Sequence, residues 1–226
     1  MCNACKRCCH NKAIRVGPYE ILRLSRFLGI STTEFITHYS EAGGTVLRTR
    51  GSDGGCVFLN GRGCGVHQDR PLACRIYPLA RWVSPEGEES FGHLAAHPQS
   101  AGVYGVGGKV IDYLEDQGLM PYFEMGDRYG PIYRRMVDML HRFDAQANER
   151  RADFRRALDD MSEGSIGSPW LDVDAAVAAY CGAEGLSPPE SVETTIKMHI
   201  EALGAWLDEM DAEDEPGKCE EQTDRN

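Results

Sequence analysis

No apolar run in this 226-residue chain approaches the length of a membrane span, and no apolar stretch precedes its first cysteines. Neither a membrane helix nor a secretory signal is therefore expected, and the reducing cytoplasm is the expected compartment. Aromatic residues make up only 8% and do not interleave with the basic ones, while the net charge is −11, which argues against a nucleic-acid partner. There is no internal repeat. No Gly-x-Gly-x-x-Gly follows a convincing strand, so a dinucleotide or methyl-donor domain is not expected. The glycine-rich stretch ending at Lys109 fails the phosphate-loop pattern: Val103 stands where the first glycine is needed, and Val110 replaces the magnesium-binding Ser or Thr. A second Cys-x2-Cys knuckle, the usual companion of a zinc-ribbon site, is missing too.

What is present is sulfur. Cys2, Cys5, Cys8 and Cys9 form a Cys-x2-Cys-x2-Cys-Cys run at the start of the chain, and Cys56, Cys64 and Cys74 follow. In a reducing compartment such cysteines bind metal or do redox chemistry more often than they form disulfides. Cys2, Cys5 and Cys8 can make a tripod on one turn of loop, the arrangement that supplies three sulfurs to cubane clusters, with a remote cysteine as fourth ligand. Cys56, Cys64 or Cys74 can take that place. The Cys9 side chain should diverge from that of Cys8 and serve a second metal or the surroundings of the first, with His10, His67 and His97 as candidate additional ligands. All seven cysteines are thus candidate metal ligands. The missing second knuckle favours an iron–sulfur cluster, of the 4Fe-4S type, over zinc or mononuclear iron. Cys181, in an Ala-rich helix, and Cys219, in an acidic tail, read as non-ligands.

Charge is unevenly spread. Residues 1–82 hold twelve Lys and Arg against five Asp and Glu, and the remainder twelve against thirty. The N-terminal excess can offset thiolate charge, and Lys6, Arg7 and Arg75 beside the cysteines favour the ligating form. Arg70, Arg75 and Tyr77 flank Cys74 and are placed to hold a substrate carboxylate or to donate a hydrogen bond near the cluster, but they read chiefly as structural, satisfying thiolates and loop carbonyls.

The expected fold is α+β and mainly α-helical: a small, irregular, cysteine-rich metal-binding module packed with C-terminal helices. A helix from Pro18 to its stop at Gly29 and a second from the Ser31-x-x-Glu34 capping box through Tyr39 open the chain. A hairpin about Asn60-Gly61 presents Cys56 and Cys64 at its ends, and a helical turn with Pro71 at its first position carries Cys74. A short strand is expected at Ser90–Leu94. Helices follow over Lys109–Gln117 and Tyr129–Ala147, then from Ser168-Pro169 and from Ser187-Pro188. The last carries an apolar face of Val192, Ile196, Ile200, Leu203, Leu207 and Met210. The expected division is residues 1–125 for the metal domain, 126–210 for the helical region and 211–226 for an acidic disordered tail.

Cys2-x2-Cys5-x2-Cys8-Cys9, Gly55-Cys56-Val57-Phe58-Leu59, Gly63-Cys64-Gly65-Val66-His67 and Arg70-Pro71-Leu72-Ala73-Cys74-Arg75-Ile76-Tyr77-Pro78 together resemble the CxxCxxCC, or YkgJ-type, family of zinc- or iron-chelating domains. The resemblance extends over roughly residues 1–125. Flagellin lysine methylases carry a similar cluster, which keeps methyl transfer among the possible chemistries. Members often have an eighth cysteine in the segment corresponding to residues 97–102, where this chain has none. Either His97 substitutes or one protein ligand is lost, leaving a metal position open.

Three functions fit these observations: an iron–sulfur protein with a redox or cluster-dependent enzymatic role, a structural zinc module for partner interaction, and a metal-chelating or delivery protein. No residue reads as catalytic. The partner is an unidentified protein or small molecule, with a homodimer through the C-terminal helices as a further option.

Overall fold

The computed structural model describes residues 5–41, 43–84, 86–102, 107–144 and 170–214. Helix makes up 53% of it, with small antiparallel strand pairs, so the molecule is mainly α-helical α+β. The N-terminal helices form where their caps dictate. Helix α1 (Pro18–Leu28) starts with proline, whose missing N–H is harmless there, and ends at Gly29 in the left-handed region, φ 70°. In α2 (Thr32–Tyr39), Ser31 Oγ accepts from the Glu34 N–H at 3.1 Å, and Glu34 Oε2 accepts from the Ser31 N–H at 2.9 Å.

Three two-stranded antiparallel pairs follow: β1 (Ser40–Glu41) with β2 (Val46–Leu47), β3 (Leu59–Asn60) with β4 (Gly63–Cys64), and β5 (Leu79–Val83) with β6 (Glu89–His93). The β3–β4 hairpin is shorter than expected. Gly61 and Arg62 make its turn, the Arg62 N–H donating to Asn60 Oδ1 at 2.8 Å, and Cys56 pairs instead with Thr49. Strand β5 was not expected. It begins directly after Pro78, which reads in the sequence only as a helix stop.

The remaining helices are α3 (Leu72–Ile76), α4 (Val110–Asp116), α5 (Met120–Asp144), α6 (Val173–Glu184) and α7 (Val192–Asp214). Pro71 caps α3 from outside instead of opening it. α5 begins at Met120 and not at Tyr129, because Pro121 suits a first turn and Tyr122, Phe123 and Met125 extend the buried face. Pro131 lies inside it. The expected start at Ser168-Pro169 and the end at Ala147 lie outside the described residues. α6 is capped by Asp172. The cap of α7 is Ser191, whose Oγ accepts from the Thr194 N–H at 3.1 Å, and not Ser187; the prolines at 188 and 189 precede the helix. α7 also runs past Asp208 to Asp214, and Cys219 lies outside the described residues.

Helix α1 is the common wall of two cores. Ile21 and Leu24 pack with Phe35, Leu47, Phe58 and Val66, a cluster against which Cys56 and Cys64 also rest. Tyr19 and Leu22 pack on the other side with Tyr122, Tyr129, Val177, Ile196 and Leu203 of α5, α6 and α7. Each apolar side chain so buried stabilises the fold by roughly 1.5–3 kcal/mol. Leu203 and Leu207 of the expected α7 face are buried, as are Thr195 and His199, which share it. His199 Nδ1 lies 2.7 Å from the Tyr129 hydroxyl, a partner that makes its burial tolerable.

The second core is clamped to α2 by Asp172, which is 1% exposed. It accepts from the hydroxyls of Thr32 and Thr33, each at 2.7 Å, and from the Ala175 N–H at 3.3 Å. Removing it strands the buried hydroxyl of Thr32, the half-buried one of Thr33 and one helix start. Asp172→Ala should therefore lower the unfolding free energy by about 2–4 kcal/mol in a urea titration, whereas a change below about 0.5 kcal/mol would contradict this role.

Candidate metal centre

The N-terminal segment reverses at Lys6, a non-glycine residue at φ 67°. That conformation costs on the order of 1–2 kcal/mol and is held by its neighbours. The Lys6 carbonyl accepts from the Cys9 N–H at 3.1 Å and from His10 Nδ1 at 2.9 Å, and Lys6 Nζ donates to the Gly61 carbonyl at 2.5 Å. The resulting 3-10 turn Arg7–Cys9 directs Cys5, Cys8 and Cys9 to one side. The chain then runs antiparallel to residues 54–56: the Cys56 N–H donates to the Cys9 carbonyl at 2.8 Å, and the Asn11 N–H to Gly54 at 2.9 Å. Gly54 is required here, since it sits at φ +67° and a Cβ on it would lie 2.1 Å from Asn11 Oδ1. Cys64 arrives on β4 and Cys74 on α3.

These placements bring six cysteines from separated segments to one cavity of about 490 Å³: Cys5, Cys8, Cys9, Cys56, Cys64 and Cys74. Cys2 lies outside the described residues. Cys181 stands apart, buried against Met198, whose Sδ is 3.2 Å from its sulfur. Among the described residues, no three or more His, Cys, Asp or Glu side chains form a ready-made ion cage. The sulfurs share a cavity, not a closed polyhedron.

Their electrostatics reflect crowding. Cys9 donates its thiol proton to Cys8, which with the charge on Lys12 draws Cys8 down to about 6 against the cost of burial. Cys9 is pushed up, first by that bond, then by burial and by Cys8, Cys74 and Cys64. Burial raises Cys74, and Cys56, Cys64 and Cys8 raise it further. Its own surface is exposed, because it faces the cavity. Cys5 is lowered chiefly by the Ala101 N–H and then by the Arg7 N–H, and the Ser100 hydroxyl adds a smaller contribution. The segment after His97 thus closes over Cys5, and Ser100 and Gly102 line the cavity.

The family model described as "CxxCxxCC: Putative zinc- or iron-chelating domain" matches residues 1–97. Residues 1–97 are thus similar to that family. The match takes in Cys2 and all six cavity cysteines, and the family's description points to metal binding by this part of the chain. It ends short of the 125 residues over which the sequence resemblance runs. No curated protein and no solved structure matches the chain.

Within the CxxCxxCC domain the three candidate histidines separate. His67 lines the cavity, and burial, with the charges of Arg70 and Arg75, lowers its pKa and favours the neutral ring that a metal requires. His10 is turned aside, Nδ1 donating to Lys6 and Nε2 lying 3.8 Å from Asp53. His97 is also off the cavity lining; its Nδ1 accepts from the Gln99 N–H at 3.1 Å, so the structure does not place it as a substitute ligand.

Arg75 is structural. It donates to the carbonyls of Arg70 at 3.0 Å, Gln117 at 2.8 Å and Gln68, and its guanidinium lies 4.7 Å from the centre of the Tyr122 ring. Arg70 donates to the His67 carbonyl and to Gln117 Oε1, each at 2.8 Å. Both arginines thereby tie the end of α4 to the CxxCxxCC domain. Tyr77 does similar work, its hydroxyl accepting from the His97 N–H at 2.7 Å.

One positioning residue escaped the sequence reading. Glu20 caps α1 through Gly17 at 2.7 Å, and its other oxygen accepts from the Leu72 N–H at 2.8 Å, fixing the start of the helix that carries Cys74. Burial raises its pKa, opposed by those two N–H bonds. In the sequence Glu20 shows only as a local helix cap.

Native-state alkylation of the metal-free protein tests this placement. A small reagent should label the cavity cysteines while Cys181 reacts only on unfolding. Labelling of Cys181 at the rate of Cys74 would contradict it.

Proposed function

We propose that Cys2, Cys5, Cys8, Cys9, Cys56, Cys64 and Cys74 bind metal through sulfur, as an iron–sulfur centre with a redox or cluster-dependent enzymatic role in the cytoplasm. The observation that carries this reading is the convergence of six of the seven on one cavity. The donor set fits the group. It is rich in soft thiolate and, among the described residues, free of carboxylate, which suits zinc and iron–sulfur sites and disfavours magnesium or calcium. More sulfurs than one tetrahedral ion takes, and the absence of a second Cys-x2-Cys knuckle, favour a 4Fe-4S cluster over a single zinc. Cys5 and Cys8, with Cys2 and one of the remote cysteines, would hold it. When bound, such a cluster supplies one-electron transfer or an open iron. The chain's own contribution is an apolar wall that limits water and a cationic side, Lys12 and Arg70, that favours the charged thiolates.

A structural zinc module is the second reading. Cys56 and Cys64 rest on the α1–α2 core, so a metal joining them to the N-terminal segment would also crosslink the fold. Anaerobic purification separates the two. Iron and acid-labile sulfide at about four each per chain, with a brown absorbance that dithionite bleaches, is the expected result. One or two zinc ions with neither sulfide nor colour would overturn the iron–sulfur reading. In either case Cys74→Ala should lose at least about half of the bound metal and Cys181→Ala should retain all of it.

A further inference from the structure

The cavity is larger and more apolar than metal coordination needs. At about 490 Å³ it falls in the range typical of small-molecule sites, roughly 300–1,000 Å³. Ile14, Leu47, Phe58, Leu59, Val66 and Leu94 contribute to its wall, and none of them has an atom that binds metal. Apart from the sulfurs, the charged side chains that line it among the described residues are of one sign. Lys12 and Arg70 line it together with Gln117 and His67, and among the described residues no Asp or Glu side chain does. Arg70 is steadied by two neutral oxygens, the His67 carbonyl and Gln117 Oε1. Lys12 is exposed, and among the described residues no carboxylate pairs with it. An amine entering this space would meet two cations, and a fully polar solute would have to desolvate against aliphatic walls. A carboxylate on an apolar body satisfies both sides.

We infer that the cavity takes a small free organic acid beside the sulfur site, its apolar body against the wall of Ile14, Leu47, Phe58 and Val66 and its carboxylate toward Lys12 and Arg70. This rests on the metal reading only in placing the acid next to bound metal; the recognition itself comes from side chains that are not ligands.

The test uses the full-length, metal-loaded protein, with metal content quantified on each sample. Octanoate, octanol and octylamine are titrated by calorimetry. Octanoate should bind at least about tenfold tighter than octanol, and octylamine should not bind. Lys12→Gln should weaken octanoate by about tenfold and leave octanol unchanged. Ala73→Leu adds bulk to the cavity from α3, at an exposed helical position that tolerates leucine, and should weaken both ligands while metal content and helicity stay the same. A fully metal-loaded protein that does not bind octanoate, or binds it undiminished in both variants, overturns the inference and leaves the metal reading standing. Octanoate binding with this variant pattern in protein that takes up no metal would sink the metal reading and uphold the acid site.

Discussion

Six sulfur atoms facing one cavity cannot all ionise without a cation among them. Burial opposes each thiolate, and every neighbour that ionises opposes the next. The domain shows this tension directly. Cys8 is drawn down to about 6 while Cys9, beside it, retains its proton, and Cys74 is raised by burial and by three other cysteines. A positively charged metal relieves all of these costs together, and among the described residues lining the cavity only Lys12 and Arg70 supply a fixed positive charge. Apolar packing alone has no use for such a grouping, as Cys181 shows by lying singly in the core.

The rest of the fold holds the sulfurs in place. Helix α1 offers Ile21 and Leu24 to the cysteine side and Tyr19 and Leu22 to the C-terminal helices, so α5, α6 and α7 brace the domain from behind. Glu20 on the same helix fixes α3 and with it Cys74, and the Asp172 clamp joins α6 to α2. Residues 98–226 lie beyond the family match, yet Tyr113 and Gln117 reach the cavity and receive bonds or donate them at its rim. The C-terminal part therefore closes the site as well as supporting it.

Local chemistry was legible in the sequence, and long-range convergence was not. Ser31, Glu34, Pro18 and Gly29 act within one turn of their own helices, so the bounds of α1 and α2 follow from spacing alone. The Cys-x2-Cys run likewise announces a metal by itself. Which remote cysteines join it depends on pairing between residues 9–11 and 54–56, and on a Glu20–Leu72 bond spanning the chain, neither of which has a periodic signature. The same limit explains His10 and His97. Their proximity in sequence suggested ligands, but backbone partners turn both rings away. Proline misled at the last helix, where Ser191 and Thr194 form the effective cap. Family resemblance supplied the metal class; the cavity's apolar wall and the placing of Lys12 and Arg70 in one lining became visible only in three dimensions.

X-ray absorption at the edge of the bound metal tests the central claim most directly. A first shell dominated by sulfur at about 2.3 Å is the predicted result. A shell made mainly of nitrogen and oxygen near 2.0–2.2 Å would contradict it, since the cavity cysteines would then not be the ligands.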